Sequence, residues 1–303
     1  VSFLTHYIEK TPVTAVITTG PPHSLHLIGL KLKKVLNIKW VADFRDPWTT
    51  VHYHKSLRLL KTRQKKHQRL EAEVLNKADV LTVTSQNTKT EFERSTPKPI
   101  HVITNGFDNI PKFNGQRDTK FSLAHIGSLL GKRDPVPLWE VLAEILKEDP
   151  TFKKHLQIKL AGVVSGAVHD SLLAHGLSRY VKNLGYIDHN AALREMQASQ
   201  VLLLLEMNTP ETRAIIPGKL FEYMATKRPI VALGPKGSAI ESVLKEAAAG
   251  RFFDHTEKKK LKAAIVALYD GFKNNGLPDL TSTIGGYHRE ALTERLSHIL
   301  KNL

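Results

Sequence analysis

The stretch "IIPGKLFEYMATKRPIVALGP" (215–235) decides how the chain is read. Pro217 and Gly218 stand directly before a helical run, and proline suits a first helical turn because its missing N–H has no acceptor there anyway. Lys219 and Glu222 are three residues apart and fall on one helical face. The run breaks at Lys227-Arg228, and "PIVALG" (229–234) follows, a short continuous apolar segment of the kind buried on both sides of a parallel sheet. Gly218 removes a side chain where a ligand would approach backbone N–H groups. The helix start is electropositive, and Lys219 adds a full charge. A carboxylate at Glu222 can accept hydrogen bonds from two ribose hydroxyls. The same spacing also suits a plain surface ion pair worth about 0.2–0.5 kcal/mol. What favours the ligand is the place, the carboxyl edge of a strand in a doubly wound sheet, where such folds bind their ligands.

Outward from this stretch, apolar runs alternate with amphipathic ones. Towards the N-terminus, strands are expected at 15–20, 39–44, 79–85 and 100–106, with helices over 24–36, 56–77 and 88–95. The segment "FDNIPKFNGQRDTK" (107–120) carries Asn, Gly, Pro and charge without a period, and reads as a linker. The alternation then resumes with strands at 122–128, 157–163, 181–186, 201–207, 229–234 and 250–254, and ends on helices over 256–272 and 287–301. The βαβ order predicts an α/β protein of two Rossmann-like doubly wound domains facing a cleft. We place them at 1–112 and 113–275, with 276–303 as a closing helical segment. Four strands against six predict a first domain that is N-terminally incomplete, in keeping with a start that has no methionine and no signal-peptide pattern.

Composition narrows the chemistry. The 303 residues contain no cysteine, which excludes disulfides, thiolate metal sites and cysteine nucleophiles. No apolar run is long enough to span a bilayer. Lys and Arg outnumber Asp and Glu by 44 to 29, a net charge of +15 that favours polyanions, phosphorylated ligands or an anionic membrane surface. Runs such as "KTRQKKHQR" (61–69) suit a solvated helix face, and no zinc-finger or RNP-like pattern points to nucleic acid. His52 and His54 have a spacing that a metal could use on a strand, but with no acidic or cysteine partner we expect no metal site.

Further residues carry chemistry at strand ends. Gly127 and Ser128 close a buried strand in "GSLLGKR" (127–133), where small residues let a phosphate approach the backbone. Either Lys132 or Arg133 can neutralise the charge that develops on a leaving diphosphate. Asp43, Arg45 and Asp46 follow the strand in "ADFRDPWT" (42–49), either facing the cleft or locking a loop. Gly20 and His23 lie in the stiff loop "TTGPPHS" (18–24), where His23 or Ser24 is placed to cap the next helix.

"PGKLFEYMATKRPIVALGP" resembles the donor-binding segment of GT-B glycosyltransferases, specifically the retaining family 4, or group 1. "TTGPPHSLHLIGLKLKKVLNIKWVADFRDPWT" (18–49) is similar to the bacterial, surface-polysaccharide branch. "VITNGFD" (102–108) resembles the family's interdomain crossing, and "HIGSLLGKRDPVPLWEVL" (125–142) its phosphate loop. The resemblance implies a nucleotide-sugar-dependent hexosyltransferase that uses a UDP- or GDP-linked donor and needs no cofactor or metal. It implies catalytic roles for Lys219, Lys132, Arg133, Asp43, Arg45 and Asp46. Donor contacts are implied for Gly127, Ser128, Gly185, Tyr186, Ile187, Pro217, Gly218 and Glu222, with the nucleobase beside 185–187. Gly20 and His23 fall on the acceptor side. The family's first glutamate would stand at 214, where this chain has Ala214; Glu211 in the same loop is the available substitute. The implied reaction is a front-face transfer, without an enzyme nucleophile, to a glycan or lipid-linked acceptor. A cytoplasmic protein in peripheral contact with an anionic inner membrane face is expected, and the closing helix would pack on the first domain. A nucleotide-sugar epimerase, or a donor-binding protein without transferase activity, fits the same motifs.

Overall fold

The computed structural model describes residues 1–51, 54, 57, 59–281 and 283–303. Two compact units emerge. The first comprises Val1–Asn105, Ala214–Ile216 and Arg289–Leu303; the second comprises Gly106–Arg213 and Pro217–His288. The change of unit after the first sheet thus falls at Asn105/Gly106 rather than at 112/113, and residues 276–288 group with the second unit.

In the first unit a short helix α1 (Ser2–Lys10), which the sequence reading left out, precedes the first strand. Four parallel strands follow in spatial order β1 (Ala15–Gly20), β2 (Lys39–Phe44), β3 (Val80–Val83) and β4 (Ile100–Val102). Helices α2 (Ser24–Leu36), α3 (Lys61–Lys77) and α4 (Gln86–Phe92) make the crossovers. The outer strands are short or partly exposed, whereas β3 is buried throughout. Trp40, Phe44, Leu81 and Val83 centre the core, closed by Val74 and Leu75 of α3. Gly29 lets α2 approach β2, because a Cβ there would lie 2.3 Å from Trp40 Nε1. That indole donates to Thr18 Oγ1 at 2.9 Å.

The second unit carries β5 (Phe121–Ile126), β6 (Leu156–Ala161), β7 (Val181–Gly185), β8 (Val201–Leu205), β9 (Ile230–Gly234) and β10 (Gly250–Asp254). Its helices are α5 (Val136–Glu148), α6 (Phe152–His155), α7 (Gly166–Ala174), α8 (His189–Ala198), α9 (Lys219–Ala225), α10 (Ala239–Glu246) and α11 (Lys258–Asn275). The parallel sheet runs β10-β9-β8-β5-β6-β7. The chain works outward from β5 to β7, then returns to the other side of β5 and works outward to β10. The reversal lies between β5 and β8, and this defines a topological switch point. Every residue of β5, β8 and β9 is buried, as expected of strands covered on both faces, while the edge strands β7 and β10 keep exposed positions. Beneath the sheet Arg228, 1% exposed, donates to the carbonyls of Ser199, Gln200 and Leu277 and to Asp279, which ties residues 277–279 to the strand ends.

The last helix, α12 (Arg289–Lys301), groups with the first unit. It forms a shallow groove with His101, Val102 and Ile103 through Glu294, Arg295, His298 and Ile299. Its cations Arg289, Arg295 and Lys301 are offset by Glu290 and Glu294, so the helix is nearly balanced in charge.

Candidate functional site

The switch point of the second unit gathers Lys219, Arg133 and Glu206. β5 ends at Ile126, whose N–H donates to the Tyr223 hydroxyl at 2.8 Å, so α9 is fastened to the strand end. Lys219, the first residue of α9, reaches back towards that end. Its Nζ donates to His125 Nε2 at 3.3 Å. The direction is fixed, because His125 Nδ1 lies 3.0 Å from the Leu203 carbonyl. A carbonyl only accepts, so Nδ1 carries the proton and Nε2 presents its lone pair to the ammonium. Burial holds His125 neutral, its pKa well below the ordinary value, and the Lys219 charge acts in the same direction. Burial also draws the Lys219 ammonium down to about 8, although the neighbouring Glu206 opposes the change.

Glu206 follows β8 directly and is 4% exposed. Arg133, at the end of the turn 131–133, brings Nε to 3.5 Å from Glu206 Oε2. Of the two cations proposed for this loop, Arg133 therefore points inward, while Lys132 is exposed. Neither His125 nor Glu206 was identified from sequence. Each sits in an apolar strand run, and a titratable side chain inside or at the end of such a run is the signal available.

Beside these charges the strand ends expose bare backbone. Gly127, Gly162 and Gly185 follow or close β5, β6 and β7 with φ of +123°, +104° and +63°. Such values favour glycine, and the absence of side chains leaves a ledge of main chain. The three are tied in sequence: Gly127 N donates to Ala161 O at 2.8 Å, and Gly162 N to Gly185 O at 2.6 Å. A Cβ on Gly162 would come within 2.8 Å of Gly127 C, and one on Gly127 would lie 3.3 Å from Lys219 Nζ. Ser128 beside the ledge is exposed. Tyr186, next to Gly185, is 91% exposed and is no part of the core, and Ile187 is half-buried.

Lys219 and Glu222 do not form the surface pair that their spacing allowed. Lys219 turns towards β5, and the side chain that stands beside the Glu222 carboxylate is His189, with Nε2 at 3.7 Å. Pro217 precedes the helix instead of starting it, and Gly218 is the N-cap, with helical φ of −55°. The N–H groups of Leu220 and Phe221 already donate to Pro217 O and Gly218 O. The positive charge at this helix start is therefore mainly that of Lys219. Glu211 lies in the turn 210–212, which Thr212 closes by donating to Met207 O.

The residues expected on the acceptor side gather at the ends of β1 and β2. Asp43 accepts from Thr19 at 2.7 Å on one oxygen and from Thr82 at 2.6 Å on the other, so it braces three strands. Arg45 exposes its side chain, while its N–H donates to Gly20 O at 2.9 Å. His23 Nε2 donates to the Asp46 carbonyl at 2.9 Å, and its ring stacks on Trp48 at 5.5 Å. Neither His23 nor Ser24 caps α2 with its side chain. Gly20 is required by space, since a Cβ there would lie 2.7 Å from His26 Nε2. His26 itself is fully buried, and burial brings its pKa down to about 3. Glu71 of α3 receives the N–H groups of Trp48 and Thr49 at 3.0 and 3.2 Å and so fixes the loop after β2. His52 lies outside the described residues. His54 stands beside His67, ring centroids 5.2 Å apart, and no group of three or more His, Asp or Glu among the described residues is arranged to hold a metal.

The family model for Glycosyltransferase Family 4 matches residues 4–109, the N-terminal part of the chain. No curated protein matches. Among solved structures the chain resembles HepE of Anabaena, determined in complex with UDP, with TM-score 0.70 and 15% identity over 100% of this chain and 82% of that one. It resembles the lipopolysaccharide outer core galactosyltransferase WaaB, with TM-score 0.67 and 13% identity over 100% and 79%. It also resembles the sucrose-phosphate synthase of Thermosynechococcus elongatus, with TM-score 0.66 and 16% identity over 99% and 76%. The fold is therefore that of the GT-B glycosyltransferases, an α/β architecture with two parallel sheets.

Proposed function

We propose that the chain is a glycosyltransferase whose second unit binds a nucleotide diphosphate sugar at the β5–β8 switch point. The observation that carries this reading is that Lys219 stands beside the side-chain-free backbone of Gly127, with Arg133 near enough for its charge to act on Lys219. Two cations beside open main chain suit a diphosphate, and a desolvated ammonium gains most when an anion arrives. Exposed Tyr186 offers a face for the nucleobase, and Glu222 offers its carboxylate to the ribose hydroxyls. HepE, of like fold, was determined with UDP, which supports a uridine nucleotide as the first to try.

In the proposed reaction, the bond from the sugar to the diphosphate breaks while the acceptor hydroxyl adds on the same face and gives its proton to the departing diphosphate oxygen. Lys219 and Arg133 stabilise the leaving diphosphate, and configuration is retained. The acceptor is a glycan or a lipid-linked sugar of a bacterial surface polysaccharide, received by the first unit. No helix among the described residues is long and apolar enough to cross a membrane. A peripheral contact with anionic lipid is supported less by α12 than by α3, whose Lys61, Arg63, Lys65, Lys66 and Arg69 are all exposed.

The test is a thermal-shift and calorimetric panel of UDP, GDP and ADP, since a ligand that binds only the folded protein raises its melting temperature. Turnover of the matching nucleotide sugars is then followed by NMR, which reads the anomeric configuration of the product. Failure of every nucleotide to bind would reject the proposal. Vesicle binding that does not weaken with salt would reject the electrostatic membrane contact.

A further inference from the structure

Among the described residues at the switch point, Glu206 is a buried carboxylate whose charge opposes an incoming anion. It follows a strand whose five residues are all apolar and buried, and it is itself 4% exposed. An apolar side chain would continue that strand at no electrostatic cost, so the carboxylate calls for a reason. The charged groups that face it are Arg133, from the turn after β5, and Lys219, from α9. β9 presents only Gly234, whose missing Cβ would lie 3.6 Å from Glu206 Cβ, and β5 presents the neutral His125 behind Lys219. Arg133 Nε is buried and makes no hydrogen bond, for its 3.5 Å approach to Glu206 is an ion pair only. Its donor is left for a closer acceptor.

We infer that Glu206 is a positioning residue, an internal counter-anion that holds Arg133 and Lys219 in place for the diphosphate and takes up a proton when the diphosphate arrives. The inference rests on the donor-binding reading above. Without Glu206, two cations would face each other at a desolvated site and repel. When a diphosphate binds, its own charges satisfy them, and Glu206 becomes a like charge beside it. Like charges at short range disfavour the ionised form, so one carboxylate oxygen gains a proton from solvent and becomes a neutral acid. Burial already pushes the Glu206 carboxyl upward in the unliganded protein, against the pull of Arg133 and Lys219.

The test is calorimetric titration of the whole chain with UDP, GDP and inorganic pyrophosphate. It is run between pH 5.5 and 7.5 in two buffers of different ionisation heat, for the wild type, Glu206→Gln and Glu206→Asp. Ligand titration contributes to all three proteins and cancels; Lys219 does not, because Glu206 raises its pKa, so the comparison is repeated in the Lys219→Arg background, where that side chain stays charged. The wild type and Glu206→Asp should take up more protons on binding than Glu206→Gln. Their affinity should rise towards low pH by up to tenfold per pH unit, where that of Glu206→Gln stays flatter. At pH 7.5 Glu206→Gln should bind pyrophosphate at least severalfold more tightly than the wild type. Equal proton uptake and parallel pH profiles in the wild type and Glu206→Gln would overturn the assignment and leave the donor reading standing. Binding of pyrophosphate with the predicted linkage, but of neither nucleotide, would overturn the donor reading and support Glu206. Failure of all three ligands to bind would overturn both.

Discussion

Replacing Lys219 by alanine separates the functional reading from a structural one. A phosphate resting on the backbone of Gly127 would occupy the space a side chain leaves, and Lys219 Nζ is 3.3 Å from the Cβ position there. Unit charges about 4 Å apart interact by about 4 kcal/mol at an effective dielectric constant of about 20. Arg133 remains in the variant, so a loss of about 2.7–4 kcal/mol of transition-state stabilisation is expected, a fall of roughly 10²–10³ in turnover. Stability should respond differently. The ammonium is desolvated and its pKa is drawn down to about 8, so the folded chain gains little from its charge. The melting temperature of Lys219→Ala should stay within a few degrees of wild type. The assay is the initial rate of nucleoside diphosphate release from the nucleotide sugar identified in the binding panel, together with a urea titration. Turnover near wild type in a folded variant would refute the reasoning. So would a variant that is inactive only because it unfolds.

Further outcomes follow from the same geometry. Donor affinity should fall as pH rises through about 8, because Lys219 loses its proton there, and Lys219→Arg should abolish the fall; calorimetry from pH 7 to 9.5 reads both. Gly162→Ala forces a side chain into φ +104° and to 2.8 Å from Gly127 C, and should lower stability by about 1–3 kcal/mol in urea unfolding while weakening nucleotide binding. Glu71→Ala leaves the N–H groups of Trp48 and Thr49 without their buried acceptor and should cost about 1–3 kcal/mol, read as a far-UV circular-dichroism transition at lower urea. His26 and His125 are neutral in the fold, with pKa values below their unfolded ones. The unfolded chain therefore binds more protons below about pH 6.5, so stability should be full above that pH and fall by about 1.4 kcal/mol per unit for each histidine as pH drops. Denaturation midpoints at pH 5–7 that show no such slope, or a slope unchanged in His26→Gln, would count against it.

Much of the architecture was legible because parallel sheets bury whole strands. β1, α2, β2 and β10 have the bounds expected from periodicity. α1 was missed because its apolar residues Phe3, Leu4 and Tyr7 bury nothing and give no core signal. α6 has only four residues, too few for a helical period to register. At the site, spacing identified the residues but not their directions. Lys219 and Glu222 share a helical face by count, yet tertiary partners draw one to His125 and leave the other by His189. Lys132 and Arg133 are adjacent in sequence, and only the turn at 131–133 decides which meets Glu206. Glu206 and His125 were passed over because a local pattern assigns such residues to the strand that surrounds them.

The glycine-lined strand tips have a genetic consequence. A glycine has no side chain to lose, and its peptide group does not titrate in the physiological range. Variation at 127, 162 or 185 can only add atoms, so harmful alleles there act as obstructions, whereas those at 133 or 219 act as subtractions. Additions are hard to relieve, because the obstructing atom stays wherever its neighbours shift. Subtractions can be restored by a cation recruited from elsewhere. Suppressor searches should therefore recover second-site revertants of the lysine and arginine losses far more readily than of the glycine replacements.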